Sequence, residues 1–177
     1  HVPIAQDLTG SQVETSLIEV VRTLRENLKL PIAVKIGPYY SSLPNLSHKL
    51  VEAGADGIVF FNRFLAPDID LDALAYVPAL DLSTPDELRL SLTWLAILRD
   101  QLDISLAATS GIHSGRDVIK AILAGANAVA IASVLFRHGP HVVTDIIEEL
   151  GGWLAQREYD SLEQLRGNMS LHKYDET

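Results

Sequence analysis

With 177 residues, 47% of them hydrophobic, and a mean hydropathy of +0.17, residues 1–177 read as one globular domain able to bury a core. A net charge of −9 and a pI near 5.0 argue against nucleic acid or an anionic membrane surface as the main partner. The absence of cysteine excludes disulfides, thiolate metal sites and a cysteine nucleophile within these residues. No apolar run approaches the roughly 18 residues of a spanning helix, and no signal-peptide pattern opens the sequence, so the cytoplasm is the default expectation.

In chain order, residues 1–10 read as loop, with Pro3 and a turn signal at Asp7 to Gly10. Helical spacing of Val13, Leu17, Val20, Val21, Leu24 and Leu28 predicts a helix over 11–28. Residues 31–36 form a short, nearly continuous apolar strand, as expected where both faces are covered. Gly37 and Pro38 end it; a helix over 44–53 and a strand over 57–61 follow, then Asn62, Arg63 and Phe64. Residues 65–82, rich in Pro and Asp, read as an irregular insertion. Residues 84–102 read as a helix, with Ser83 or Thr84 capping and Asp86 and Glu87 in the first turn.

The stretch 105–136 carries the chemistry. An apolar strand from Ser105 runs into the small-residue turn Thr109-Ser110-Gly111, and Ser114 caps a helix with Asp117 in its first turn. That helix stops at Ala124-Gly125-Ala126. Residues 128–131 form the next strand, which Ala132 and Ser133 close before a short helical piece over 134–137. Two successive strands thus end in small residues, each at the mouth of a helix, where a phosphate can approach bare backbone N–H groups. A long amphipathic helix over 140–156, a short one over 159–167 and a frayed tail over 170–177 complete the chain.

Strand–helix alternation implies a parallel sheet with right-handed crossovers. Ala53-Gly54-Ala55-Asp56 recurs as Ala124-Gly125-Ala126-Asn127, a weak repeat of one βα unit. The expected fold is an α/β (β/α)8, or TIM, barrel. This chain supplies its last four βα units, since a closed barrel takes eight strands and about 250 residues. Four strands alone leave two open edges.

The segments Pro31-Ile-Ala-Val-Lys-Ile-Gly-Pro38, Ala53-Gly-Ala-Asp-Gly57, Phe61-Asn62, Ala108-Thr-Ser-Gly-Ile112 and Ala132-Ser-Val-Leu135 with Gly139-Pro140 resemble the dihydroorotate dehydrogenase family. They run in order over nearly the whole chain and correspond to the family's last four barrel strands. The resemblance is nearest a bacterial dihydroorotate dehydrogenase-like branch. It implies an FMN-dependent oxidoreductase that converts dihydroorotate to orotate in pyrimidine biosynthesis.

Lys35 ends an apolar strand, and burial of its ammonium would need a partner. The resemblance makes that partner the flavin N1/O2 edge, which gives Lys35 a catalytic as well as a cofactor-binding role. The alternative is a lysine snorkelling at a strand end. The carboxamide of Asn62 both donates and accepts, which suits a planar pyrimidine, and the resemblance makes it substrate-binding; locally it is equally an Asn closing a turn. Arg63 departs from the family's Ser or Thr, either as a second cation for an anionic substrate or as a residue facing solvent. Ser83 falls at the family's flavin-contacting turn, or is an ordinary cap. Thr109, Ser110, Gly111, Ala132 and Ser133 fall in the family's phosphate-binding segments. Ser110 and Ala132 replace glycines there, and tight helix–sheet packing would also select small residues.

The resemblance implies a Cys or Ser base on the loop after the fourth barrel strand, at or before residue 1. The chain has no cysteine, and His1 lies near the equivalent position, as a base or as a chance residue. No histidine pair has metal-ligand spacing with a third ligand, and His48, His113 and His172 read as surface residues. The expected ligands are FMN and a small-molecule substrate, with no metal; a homo-oligomer, a dimer, is expected. Two other classes remain open: a barrel lyase or synthase acting on a phosphorylated substrate, in which Lys35 forms a Schiff base or holds phosphate, and a non-catalytic half-barrel that dimerises.

Overall fold

The computed structural model describes residues 3, 5–63, 66–77 and 81–171. Helix α1 (Gly10–Asn27) begins on Thr9, whose hydroxyl accepts from the Gln12 N–H while the Gln12 side chain returns a bond to the Thr9 N–H. Strand β1 (Ala33–Ile36), helix α2 (Leu43–Glu52) and strand β2 (Gly57–Phe60) follow. The segment expected to be irregular contains a small antiparallel hairpin, β3 (Asp68–Asp70) with β4 (Ala75–Val77).

The helix expected over 84–102 is shorter and begins in two steps. Pro85–Glu87 is a 3-10 turn, and α3 runs from Leu88 to Leu98 (Leu88–Leu98). Thr84 occupies the N-cap position, and the Glu87 carboxylate accepts from its N–H at 2.9 Å. Strand β5 (Ser105–Thr109) leads to α4 (Gly115–Ala124), where Ser114 is the expected cap and its hydroxyl accepts from the Asp117 N–H at 3.2 Å. Strand β6 (Ala128–Ala130), α5 (Ser133–His138) and α6 (Val142–Gln156) follow. The helix expected over 159–167 is the single turn α7 (Leu162–Leu165). Of the tail expected to fray, residues 172–177 lie outside the described residues.

The main sheet has the order β1-β2-β5-β6, with every neighbouring pair parallel. Its two faces differ sharply. Val34, Ile36, Ile58, Phe60, Leu106 and Ala108 share one face and are buried in a core with Leu46 and Leu50 of α2, Leu95 and Leu98 of α3, and Ile119 and Ile122 of α4. Removing these side chains from water is the main source of stability in such an arrangement. The opposite face carries the aligned rows Ala33–Gly57–Ser105 and Lys35–Val59–Ala107–Ala128, followed by Thr109–Ala130. No described helix covers it, and Ala33, Lys35, Ser105, Ala128 and Ala130 are exposed there. Small side chains on one face and a helix-covered apolar layer on the other fit four consecutive βα units of a TIM barrel, with the small residues on the barrel's inner wall.

Candidate active site

The C-terminal ends of the four parallel strands converge on an open cavity of about 170 Å³. Its walls include Lys35, Asn62, Ser83, Thr109, Ser110, Gly111, Ala132 and Ser133, so the residues expected from the sequence to bind cofactor or substrate meet here. A neighbouring cavity of about 270 Å³ shares Asn62, Arg63 and Ser110 and extends towards Tyr39, Phe61 and Leu90. Strand ends on this side are where barrel enzymes place their reacting groups.

Lys35 stands on the uncovered face, in register with Val59, and is exposed. The protein itself therefore does not bury the Lys35 side chain. Among the described residues Lys35 makes no ion pair, and it is one of the residues that line the cavity. Asn62 follows β2, and its N–H donates to the Ile36 carbonyl at 2.7 Å, which ties the ends of β1 and β2 together beneath the site.

Arg63 is exposed and borders both cavities, but its charge is paired. Its guanidinium donates to both carboxylate oxygens of Glu87, at 2.9 and 3.3 Å, and to the Asp81 carbonyl. The departure from the expected Ser or Thr thus clasps the residue-62 loop to the start of the α3 segment.

Ser110 and Gly111 both adopt left-handed backbone, with φ of 70° and 74°. At Gly111 a Cβ would lie 2.3 Å from the Leu88 backbone nitrogen, so glycine is required by the approach of α3. The Gly111 N–H does not stand open to a ligand; it donates to the Ser83 hydroxyl at 3.3 Å. Gly111 is therefore a packed wall of the cavity.

Ser83 is 3% exposed and acts as a hub. Its N–H donates to Ser133 Oγ at 2.8 Å, and its hydroxyl lies 2.9 Å from the same oxygen. His113 Nε2 lies 3.3 Å from Ser83 Oγ. His113 is half-buried, which corrects its reading as a surface residue. The signal in the sequence was its place two residues after Gly111, on the turn that ends β5. Ser91 was also missed; buried on α3, it donates to the Phe60 carbonyl at 3.1 Å and the Thr109 carbonyl at 3.4 Å, holding the ends of β2 and β5.

Behind the site, Asp117 accepts from the His113 N–H at 3.1 Å, from the Ser114 hydroxyl at 2.9 Å and from Lys120 at 3.1 Å. Burial pushes its pKa up, but these donors and the Lys120 charge outweigh that and hold the carboxyl below its ordinary value. No three His, Cys, Asp or Glu side chains among the described residues converge as metal ligands. His1, the candidate base, lies outside the described residues. No helix of the described residues is long and apolar enough to cross a membrane.

Residues 2–154 match the family model described as dihydroorotate dehydrogenase. The chain is similar to the catalytic subunit of dihydroorotate dehydrogenase B (NAD(+)) from Alkaliphilus metalliredigens, at 29% identity over 155 residues, which cover 85% of this chain and 51% of that protein. The subunit of the same name from Pyrococcus abyssi is 28% identical over 161 residues, covering 88% of this chain and 53% of that one. That from Petrotoga mobilis is 30% identical over 151 residues, covering 84% and 50%. The chain spans about half the length of the curated relatives it matches. By a family match that extends over most of its residues, the chain belongs to the dihydroorotate dehydrogenase family.

Proposed function

We propose that residues 1–177 form the C-terminal half of an FMN-binding barrel that oxidises dihydroorotate, or a related small anionic substrate, to orotate in pyrimidine biosynthesis. The observation that carries this is the convergence of Lys35, Asn62, Thr109, Ser110, Ala132 and Ser133 on one cavity at the strand ends. The donor set fits FMN: one ammonium without an ion pair among the described residues, one carboxamide, and the hydroxyls of Thr109, Ser110 and Ser133. When bound, the flavin supplies the hydride acceptor.

This chain's own residues bind and orient. Lys35 presents a positive charge to the flavin edge that becomes electron-rich on reduction, without a carboxylate to cancel it. Asn62 offers a planar donor–acceptor pair to the substrate ring. Ser133, with Thr109, Ser110 and Ala132, receives the phosphate end, while Ser83 and Gly111 hold that wall in place. The base that takes the substrate proton lies outside the described cavity, with His1 the candidate this chain offers. The reading includes a cytoplasmic homodimer with no nucleic-acid or membrane partner, in keeping with the acidic composition.

Anaerobic addition of dihydroorotate to the flavin-loaded full-length protein tests this reading. Bleaching of the flavin with formation of one orotate per flavin is expected. Flavin that stays oxidised with dihydroorotate yet bleaches with dithionite would reject dihydroorotate as the substrate.

A further inference from the structure

We infer that His113 is a positioning residue whose Nε2 proton fixes Ser133 as a hydrogen-bond donor to the anionic end of the ligand, through the hydroxyl of Ser83. The inference rests on the phosphate-end reading of the cavity given above, and it concerns how that end is recognised.

The argument is a count of protons and lone pairs. A serine hydroxyl has one hydrogen and two acceptor positions, and a backbone N–H only donates. The Ser83 N–H occupies one acceptor position of Ser133 Oγ at 2.8 Å. The Gly111 N–H occupies one acceptor position of Ser83 Oγ at 3.3 Å. Each hydroxyl keeps one hydrogen and one lone pair, and they face each other at 2.9 Å. His113 Nε2 faces Ser83 Oγ at 3.3 Å, and Ser133 borders the cavity.

Only two arrangements satisfy every group. In the first, Ser83 donates to Ser133. Both acceptor positions of Ser133 are then filled, and its own hydrogen points to the ligand. The remaining lone pair of Ser83 requires a hydrogen on His113 Nε2. In the second, Ser133 donates to Ser83, Ser83 donates to a bare His113 Nε2, and Ser133 offers the ligand a lone pair. A phosphate monoester brings oxygens with negative charge and requires the first arrangement. At 2.9 Å either hydroxyl can donate to the other, so the charge of the ligand and the hydrogen on His113 Nε2 together select the first arrangement. The His113 backbone N–H is held by Asp117, so the ring is set on a fixed turn. A part-buried network centred on a buried hydroxyl transmits the state of one member to the next, because an unpaired polar group at Ser83 is costly.

Two measurements on the full-length protein test this. The first is the tautomer of His113, read from long-range ¹⁵N–¹H correlations without ligand and with FMN. A hydrogen on Nε2 is expected in both; a bare Nε2 in either overturns the inference. It does so whether or not flavin binds, while an Nε2 hydrogen in a protein that binds no flavin would leave the relay standing and reject the flavin reading instead. The second is a cycle of affinities for FMN and for riboflavin, which lacks the phosphate. His113→Glu places a pure acceptor opposite Ser83 and forces the second arrangement. It should weaken FMN relative to riboflavin by roughly tenfold, the scale of one charge-assisted hydrogen bond. His113→Gln, whose amide still donates, should stay within about twofold of wild type. In a Ser133→Ala background the Glu effect should largely vanish, since the group it acts through is gone. An equal Glu effect in both backgrounds would mean simple charge repulsion and would overturn the inference.

Discussion

At the scale of single residues, the site mixes groups that face a ligand with groups that hold those in place. Lys35 and Asn62 line the cavity, and Gly111, Ser83 and Ser91 make hydrogen bonds that hold its walls together. Gly111 shows the difference most clearly. The proposed phosphate-binding role of its segment and its place against α3 would both select a residue without a Cβ, and the 2.3 Å approach of the Leu88 nitrogen makes the packing reason sufficient. Gly111→Ala must either move α3 or leave the left-handed backbone region. Equilibrium denaturation should show a loss of about 2–4 kcal/mol, from steric strain plus the positive φ. A loss under about 0.5 kcal/mol would mean that the turn relaxes freely and that glycine is there for a ligand alone.

At the scale of elements, strands and capped helices were legible because their causes are local. The apolar run that becomes β1, the Ser114–Asp117 start of α4 and the Ala-Gly-Ala stops each carry their signal within a few residues. The β3–β4 hairpin had none. Its strands are three residues each, and Ile69, Leu71, Leu74 and Tyr76 are exposed, so no buried face imposes a period of two. The pairing of Arg63 with Glu87, and the link of Ser83 to His113 and Ser133, join residues 24 to 50 positions apart. The fold brings these together, and local pattern cannot announce them. The eight residues expected at a site do line one cavity, since most of them sit next to a strand end and the parallel sheet aligns those ends.

The start of α4 also sets a pH dependence. Asp117 has its pKa lowered in the folded chain, so its contribution is present above the ordinary carboxylate value near 3.9 and is lost as pH falls through the lowered folded value. Asp117→Asn should cost about 1–3 kcal/mol at pH 7, where a buried acceptor of three donors is weakened. Denaturation curves of both proteins at pH 7 and near pH 3 should show the gap narrowing at the acid end. A gap of equal size at both would contradict the assignment of the stabilisation to the ionised carboxylate.

At the scale of the whole molecule, the sheet is finished on one face only. Helices cover the apolar side, while the rows through Ala33, Lys35, Ala107 and Ala128 stay open and β1 and β6 are the terminal strands of the main sheet. The same openness leaves Lys35 uncancelled by any carboxylate among the described residues and the strand-end cavity accessible. The proposed flavin would occupy this cavity. The most direct measurement is a visible absorption spectrum of the purified full-length protein, repeated after adding FMN and desalting. Flavin bands that survive desalting, bleach with dithionite and disappear in the Lys35→Ala, Ser133→Asp double variant are predicted. A wild-type protein that stays colourless after FMN is added and removed would contradict the account and favour a barrel enzyme acting on a phosphorylated substrate.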